Sequence, residues 1–585
     1  MKKIYIIFTE KDVEFVKANS TENDIIYGDS KLLNGTLGYH IIPTLAYTEK
    51  INLIEKVRNF FEHLALKYEK DIFGFVNVFY LATILPIASY SHGLHQLLIN
   101  ESSKNKEIEI IFRKKYKLFF TALFFLAEHE SNSVFMYPRA EIMQPYLVKI
   151  CTQFKNAKIT YIKNNTFSML KYSLLIRRYL VLIIRFIYSI LKYIFQPIKL
   201  ESNNVRKTKY IIITRLPSKT EFLKPLIDLI SKDVRIIIGE TFSESRRNFL
   251  FSIKKINVNI KLLLPIYQIP FRILLDYYFY SLSKQFNIKE INFFTGLIDI
   301  NLNQALREML INYPDVKSYM YGLKNHIENI KNSSSIVLST ELTSQYAYAD
   351  AEVSRLTESF CLHIMDCDIT NDPLPCPIFG DKLIVDNLKN LDILKKTWPN
   401  ERNKIEYWGS LRKVTNLQQV FPHAYNVRWC FFTSGEINTD HKVLNRLLYL
   451  KENYGLRFII KLHPRDQKHR YIKYKNIEIF SEGDVSKSEL INYFEFALTY
   501  NSGIINDLVT NNKPFLLLDL HSESYFNQHI HSDSFNDLII RNLNSLEYAL
   551  NNMEEYLLYY KKYRNIIISN YSKNINDFYF KLISL

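Results

Sequence analysis

In the stretch FIIKLHPRDQ, Phe458–Gln467, an apolar pattern typical of a buried strand is followed by polar residues and a proline. Its first three residues are apolar, which is typical of a strand covered on both faces. Lys461, His463 and Arg465 follow at once, and Pro464 lacks the N–H group that a continuing strand needs. Residues two apart share a strand face, so Lys461 and His463 should lie together. The stretch predicts a central strand whose carboxyl end carries cations and a histidine.

Two series of short apolar runs and helix-length segments surround this stretch. The first begins with KYIIIT at Lys209 and the second with RWCFF at Arg428. Such alternation predicts parallel sheets with helices on both faces, and ligands bind at the carboxyl ends of their strands. We therefore expect an α/β fold with two Rossmann-like domains facing a cleft.

The sequence before these series predicts a further α/β unit and a basic helix. In the N-terminal unit, residues 50–67, 72–100 and 111–129 have helical patterns. The predicted divisions are 1–165 for the N-terminal unit, 166–204 for a basic amphipathic helical linker, 205–415 for the first Rossmann-like domain and 416–585 for the second, with C-terminal helices.

Charge and cysteine content narrow the classes of partner. The 585 residues carry a formal net charge of +16 without a dense Lys/Arg tract. Dispersed positive charge favours a membrane surface or a small anionic ligand over nucleic acid, and a solvated basic surface is the plain alternative. The five cysteines contain no CxxC pair, so we expect a reducing compartment without a zinc site or a disulfide framework.

Two segments have compositions that could allow contact with a membrane. Residues 72–100 lack Asp, Glu, Lys and Arg, but their polar residues and Pro86 favour a buried helix and turn over a membrane span. Residues 173–200 are apolar with a basic stripe, which fits a helix in the headgroup plane of an anionic leaflet or a linker helix packed on another domain. The stripe consists of Arg177, Arg178, Arg185 and Lys192.

Three strand ends of the second Rossmann-like domain should converge into an anion site. A Ser/Gly turn at a helix start presents free N–H groups and the positive end of the helix dipole, which suits a phosphate. Each feature alone is usually a cap or a turn. The residues are Thr433, Ser434 and Gly435 after one strand, Lys461, His463, Pro464 and Arg465 after the next, and Asn501, Ser502 and Gly503 after the third.

The order TSGE, KLHPR and YNSG over residues 428–520 resembles the C-terminal domain of bacterial GT-B glycosyltransferases. It is most similar to the enzymes that use CMP-activated nonulosonates, namely sialyltransferases, polysialyltransferases and Kdo transferases. The resemblance implies that His463 and Pro464 form the His-Pro motif and that Ser502 and Gly503 form the serine motif. The acidic Asp/Glu-Asp/Glu-Gly motif of sialyltransferases has no match before residue 400, and CDP-glycerol polymerases share a similar layout, so the donor stays open.

The resemblance implies a metal-independent, cofactor-free glycosyltransferase that adds sugar, with a CMP-nonulosonate favoured, to a growing bacterial surface glycan such as a capsule or lipopolysaccharide. The partners are then a nucleotide sugar, a glycan or lipid-linked glycan acceptor and the anionic inner face of the cytoplasmic membrane, without nucleic acid. Domain 416–585 would bind the nucleotide sugar, 205–415 would face the acceptor, and 1–165 could be acceptor-related. The alternatives are a CDP-glycerol or NDP-hexose transferase, and a non-catalytic nucleotide- or glycan-binding protein.

The catalytic acid or base should come from the domain that faces this pocket. Glu341 follows the predicted strand SSIVLST, and Asp366 follows FCLHIMD. A carboxylate at such a strand end can deprotonate an acceptor hydroxyl or, in a retaining enzyme, attack the anomeric carbon. The ordinary alternative is that each caps the following helix.

Overall fold

A computed structural model gives the architecture of the chain. The described residues are 2–28, 37–41, 43, 45–67, 74–76, 80–105, 107–115, 140–163, 187, 208–215, 217–230, 234–238, 270–286, 291–342, 344–365, 378–412, 427–434, 437–463, 466, 468–481, 484–485, 487–500, 504–520, 536–571 and 574–585. The predicted basic stripe from Arg177 to Lys192 lies outside these residues.

The N-terminal unit is a five-stranded parallel sheet in the order β3-β2-β1-β4-β5. Its strands are β1 (Lys2–Ile7), β2 (Ile25–Gly28), β3 (Tyr39–Ile41), β4 (Ile108–Lys114) and β5 (Ala157–Lys163). Its helices are α1 (Glu10–Asn19), α2 (Tyr47–Lys67), α3 (Leu85–Lys104) and α4 (Ala140–Cys151).

The predicted helix over 111–129 is wrong at its start. Residues 111–114 belong to β4, which pairs with β1 on one side and with β5 on the other. The β-branched residues of β4 are buried on both faces of this sheet, as in a central parallel strand. Tertiary pairing has overridden the local apolar pattern there. Residues 116–129 lie outside the described part.

The uncharged segment 72–100 contributes mainly the helix α3, preceded by a π-helical turn at Tyr80–Ile84. Ile87, Leu94 and Leu98 of α3 are buried in the core of the N-terminal unit. This agrees with the buried helix that the polar residues of the segment predicted. Within the described ranges, no helix is both long enough and apolar enough to cross a membrane.

The middle unit is a six-stranded parallel sheet in the order β13-β12-β11-β10-β6-β7, with a separate antiparallel hairpin. Its strands are β6 (Thr208–Thr214), β7 (Val234–Ile238), the hairpin β8 (Asn292–Phe294) and β9 (Asp299–Asn301), β10 (Lys331–Ser339), β11 (Phe360–Ile364), β12 (Lys382–Val385) and β13 (Ile405–Tyr407). Its helices are α5 (Pro217–Leu229), α6 (Phe271–Phe286), α7 (Asn303–Ile330), α8 (Gln345–Leu356) and α9 (Leu388–Thr397).

The C-terminal unit is a six-stranded parallel sheet in the order β16-β15-β14-β17-β18-β19. Counted from β14 this is 3-2-1-4-5-6, the order of a doubly wound Rossmann sheet. The strands are β14 (Arg428–Phe432), β15 (Arg457–Lys461), β16 (Ile479–Phe480), β17 (Phe496–Thr499), β18 (Phe515–Leu518) and β19 (Ile539–Ile540). The helices are α10 (Ile437–Tyr454), α11 (Lys487–Asn492), α12 (Ile504–Thr510), α13 (Asn544–Asn551), α14 (Met553–Ile568) and α15 (Ile575–Ile583).

The last helix returns to the middle unit. Phe578 of α15 packs edge-on against Trp408, with ring centroids 5.5 Å apart, and Leu582 joins the same core. Gly409 has φ +133°, and a Cβ there would lie 2.3 Å from the Asn574 carbonyl oxygen, so only glycine allows this close approach. The predicted α/β class, with two Rossmann-like units behind an additional N-terminal α/β unit, is confirmed.

Candidate functional site

The strand order of the C-terminal sheet reverses between β14 and β17, which is where an open parallel sheet binds its ligand. The loop after β14 is tied to the loop after β15 by Thr433. The Thr433 N–H donates to the Lys461 carbonyl at 3.0 Å, and its hydroxyl accepts from the His463 N–H at 2.8 Å. These bonds hold His463 at the carboxyl edge of the sheet, beside the reversal point.

The backbone turns sharply directly after His463. The His463 carbonyl accepts a hydrogen bond from the Asp466 N–H at 2.8 Å, which closes a four-residue turn. Lys461 and His463 are half-buried, whereas Leu462 between them is buried, as strand alternation requires. The other predicted site residues of these loops lie outside the described residues: Gly435, Pro464, Arg465, Asn501, Ser502 and Gly503.

Beneath these loops lies a buried acidic cluster formed by Asp440, Asp466 and Tyr471. The Tyr471 hydroxyl oxygen is 2.9 Å from Asp466 Oδ2 and 3.1 Å from Asp440 Oδ2. Thr433 also donates to Asp466 Oδ2 at 2.9 Å, and the N–H and hydroxyl of Ser434 donate to Asp440 Oδ1 at 2.9 and 3.0 Å. The Thr433 and Ser434 hydroxyls, expected to face a phosphate, therefore donate to carboxylates that fix their loops.

This acidic cluster binds a proton near neutral pH. The pKa of Asp440 is raised to about 7, chiefly by burial and also by the nearby Asp466, while hydrogen bonds from Ser434 oppose the shift. Burial also raises the pKa of Asp466. A Tyr471 hydroxyl has one proton and cannot donate to two carboxylates at once. A proton on Asp440 Oδ2 completes both contacts, because Asp440 can then donate to the tyrosine oxygen.

The raised pKa of Asp440 makes the stability of the C-terminal unit depend on pH. The folded state holds this proton up to about pH 7, whereas the unfolded chain releases it near 3.8. Stability should therefore fall as pH rises from about 4 to 7, by at most about 1.4 kcal/mol per pH unit, and then level off. Asp440→Asn, which can donate to Tyr471 without titrating, should remove this fall.

Urea unfolding of the wild-type chain and the Asp440→Asn variant at pH 5 and pH 8.5 measures this effect. The stability of Asp440→Asn relative to wild-type should be greater at pH 8.5 than at pH 5. Asp392→Asn is the control, because Asp392 is exposed and pairs with Lys396 one helical turn away. If the free energy of unfolding changed equally between the two pH values in wild-type and Asp440→Asn, Asp440 would not hold a proton in the folded state.

The middle unit presents a second buried polar cluster at the carboxyl edge of its sheet. Arg215, after β6, donates from Nη1 and Nη2 to the two carboxylate oxygens of Asp350, both at 2.8 Å. Tyr319 donates to Asp350 Oδ1 at 2.6 Å and Ser339 donates to Oδ2 at 2.7 Å. Burial alone lowers the pKa of Arg215, but the facing Asp350 carboxylate more than reverses this. Arg215 is thus held inside the unit as a structural cation.

Glu341 lies at the end of β10 and is attached to this cluster through its backbone. Its N–H donates to the Ser339 hydroxyl at 3.2 Å, and its carbonyl lies 2.6 Å from His363 Nδ1. The carbonyl can only accept, so Nδ1 carries a proton and Nε2 is the bare nitrogen of a neutral ring. Burial lowers the pKa of His363, which agrees with the neutral form. The Glu341 side chain is half-buried, and Asp366 lies outside the described residues.

An ion-pair bridge joins the middle and C-terminal units. Arg412, after β13, contacts the carboxylate of Asp386, which follows β12, and its Nε donates to Asp507 of α12 at 3.0 Å. The Arg412 guanidinium also lies 4.8 Å from the Phe222 ring centroid. α12 follows the predicted serine motif, so this bridge ties the middle unit to the segment next to the candidate anion site.

Sequence reasoning missed the residues that hold these loops in place. They are Asp440, Asp466 and Tyr471 in one cluster, Tyr319, Ser339, Asp350 and His363 in the other, and Asp386, Arg412 and Asp507 in the bridge. One signal was available, since Asp440 and Asp507 both stand in the first turn of a helix, where acids are common. Among the described residues, no group of three or more His, Cys, Asp or Glu side chains is placed to hold a metal ion.

No known protein family and no curated protein sequence matches the chain. Solved structures align with the chain only at low sequence identity and low structural similarity. A UDP-GlcNAc 2-epimerase from Neisseria meningitidis bound to UDP-GlcNAc has 12% identity and a TM-score of 0.39, over 64% of this chain and 99% of that one. The wall teichoic acid polymerase TagF has 11% identity and a TM-score of 0.37, over 70% and 94%, and TarM has 12% and 0.35, over 66% and 99%. Alignments this distant assign no activity to the chain.

Proposed function

We propose that the chain is a GT-B-type glycosyltransferase that transfers a sugar from a nucleotide sugar to a growing bacterial glycan, with a CMP-nonulosonate as the favoured donor. The nucleotide phosphate would bind at the carboxyl edge of the C-terminal sheet, beside His463. The acceptor would approach from the middle unit, where Glu341 or Asp366 would act as base. No metal or cofactor takes part in this scheme.

The position of His463 is the observation that carries the proposal. It follows β15, the strand next to β14, and so lies at the carboxyl edge beside the reversal point of a doubly wound sheet, where such folds bind nucleotides. Three hydrogen bonds hold its backbone and that of Thr433 in place. A histidine whose backbone is held in this way can donate to a phosphate oxygen without a cost for ordering its loop. The preference for CMP rests on the sequence resemblance.

His463→Ala should weaken nucleotide binding. A charge-assisted hydrogen bond to phosphate contributes about 1.5–3 kcal/mol, so the dissociation constant should rise about ten- to hundredfold. Calorimetric titration with CMP, CDP, UDP and GDP measures the loss and identifies the preferred nucleotide. His469→Ala is the matched control, because His469 is an exposed histidine of the same unit. Normal nucleotide binding by a His463→Ala variant with a lowered melting temperature would reduce His463 to a structural role.

The same titration separates the candidate functions. Preference for UDP or GDP points to a hexose transferase of the same architecture. CMP binding supports a cytidine-nucleotide donor, because CMP is the leaving group both of a CMP-nonulosonate and of glycerophosphate transfer from CDP-glycerol. Titration with CDP-glycerol itself separates these two, since its binding would favour the glycerophosphate transferase. Failure of all four nucleotides to bind the intact chain would favour a non-catalytic glycan-binding protein.

Association with the inner face of the cytoplasmic membrane is a further part of the proposal. Its support is the basic stripe of Arg177, Arg178, Arg185 and Lys192 in an apolar segment. Each basic side chain near an anionic surface contributes about 1 kcal/mol, so changing all four to Glu should release the protein from acidic liposomes. Co-sedimentation with vesicles containing phosphatidylglycerol measures this, with neutral vesicles as the control. Unchanged co-sedimentation of the variant would remove the stripe from the proposal.

A further inference from the structure

A cavity of about 460 Å³ lies between the N-terminal and middle units. Its volume falls within the range of small-molecule sites, about 300–1,000 Å³. Arg58 and Glu62 of α2 form one wall, and residues from the end of α8 and the segment before β12 form the other. The cavity therefore exists only because the N-terminal unit packs against the middle unit.

The cavity is at the opposite edge of the middle sheet from the candidate transfer site. Its lining residue Cys361 is near the start of β11, and Asp381 directly precedes β12. Glu341 follows β10 at the carboxyl edge. A five-residue strand such as β11 spans about 16 Å at ~3.3 Å per residue, which separates the two locations by the depth of the sheet.

Close packing holds the walls of this cavity in place. A Cβ on Gly74 would lie 2.8 Å from Tyr348 Cδ1, so the N-terminal unit approaches the Tyr348 ring as nearly as a glycine allows. Tyr348 in turn packs edge-on against Phe379, with ring centroids 5.5 Å apart. A Cβ on Gly380 would lie 2.5 Å from His363 Cδ2, which fixes the segment that carries Phe379. The walls of the cavity are therefore closely packed, and both aromatic residues are among its lining residues.

The polar lining is nearly balanced in charge. It comprises three basic and four acidic side chains: Arg58, Arg355, Lys404, Glu62, Glu352, Asp381 and Glu401. Two ion pairs lie within this lining: Arg355 donates from Nε and Nη2 to Glu352, and Lys404 lies 3.0 Å from Glu401. A guanidinium has five N–H donors, so Arg355 keeps donors for a further group.

This combination selects for an uncharged polyhydroxylated ligand. A phosphate or nucleotide would meet four carboxylates, and a cation would meet two guanidinium groups and an ammonium, so neither sign of charge is favoured. A sugar hydroxyl both donates and accepts, which matches a lining that contains both carboxylates and guanidinium groups. The half-buried Phe379 offers apolar surface to the C–H face of a sugar ring.

We propose that this cavity between α2, α8 and the segment before β12 is a second binding site that holds a neutral oligosaccharide. It would retain a glycan on the protein at a place remote from the transfer site. The assignment uses only the shape, packing and charge of the cavity, so it stands or falls independently of the proposed transfer reaction.

Binding of the intact chain to an array of neutral bacterial oligosaccharides, followed by calorimetric titration of the best one, tests the proposal. Changing both Arg355→Ala and Asp381→Asn should weaken binding at least tenfold. Glu62→Gln, on the exposed surface of the opposite wall, gives an independent variant should the double change disturb folding. Lys224→Ala is the control, because it opens a similar exposed helical ion pair, Lys224–Asp228, outside the cavity.

Saturating CMP should leave oligosaccharide binding unchanged, because the proposed nucleotide site is at the carboxyl edge of the C-terminal sheet and the cavity is at the opposite edge of the middle sheet. Three results would overturn the proposal: no neutral oligosaccharide binds, binding survives both cavity variants, or CMP displaces the sugar. Loss of CMP binding by itself would bear on the transfer site alone, so failure of the two proposals can be told apart.

Discussion

Asp350→Ala is expected to destabilise the middle unit by about 3–5 kcal/mol, the range for removing one partner of a buried ion pair. Asp350 is fully buried and accepts four hydrogen bonds, two from Arg215 and one each from Tyr319 and Ser339. Its removal takes away the carboxylate that binds the buried Arg215 cation through two hydrogen bonds. Native-state hydrogen exchange of the β6 and β10 amides measures the loss in this unit, since a multi-domain chain need not unfold in one transition.

Two further variants separate charge from packing. The double change Arg215→Met and Asp350→Leu replaces the ion pair by apolar side chains and should recover most of the stability, because burying two charges is itself costly. Asp228→Ala removes an exposed carboxylate paired with Lys224, and surface pairs of this kind contribute about 0–1 kcal/mol. Similar losses from Asp350→Ala and Asp228→Ala would show that the buried pair does not hold this edge together.

The second large effect concerns the carboxylate proposed as the base of the transfer reaction. Glu341→Gln or Asp366→Asn should lower the transfer rate by about 10²–10⁴-fold, the usual contribution of a positioned general base. Both changes keep the side-chain volume. Because the base acts on the acceptor, nucleotide affinity should stay nearly constant. The measurement is CMP release from a CMP-nonulosonate in the presence of a glycan acceptor, with nucleotide affinity determined in parallel by calorimetry.

The backbone contacts of Glu341 favour it for this role. Ser339 and His363 bind its N–H and carbonyl, and Ser339 is itself bound to Asp350. The buried cluster thus holds the backbone of a half-buried carboxylate at the strand end. Asp392→Asn is the control, an exposed carboxylate of the same unit. Ordinary turnover in both the Glu341→Gln and Asp366→Asn variants would place the catalytic group elsewhere, for instance in the N-terminal unit.

Much of the fold could be predicted from local pattern. The stretch around Phe458 forms β15 as expected, and the alternating apolar runs give two doubly wound sheets, because strands buried on both faces must be continuously apolar. His463 follows β15 and therefore lies at the carboxyl edge of the sheet, as the stretch predicted. The local apolar pattern wrongly predicted a helix at residues 111–114. Pairing with two neighbouring strands makes these residues part of a strand.

The sequence by itself therefore determined the class of fold, the order of its units and the strand ends that carry polar residues, since these depend on periodicity and turn chemistry. Only the tertiary structure decided which acids and bases meet. Asp350 lies 135 residues from Arg215, and Arg412 lies 95 residues from Asp507. Contacts at such separations leave no local signal, because they depend on how whole sheets and helices pack, and the cavity between the N-terminal and middle units arises in the same way.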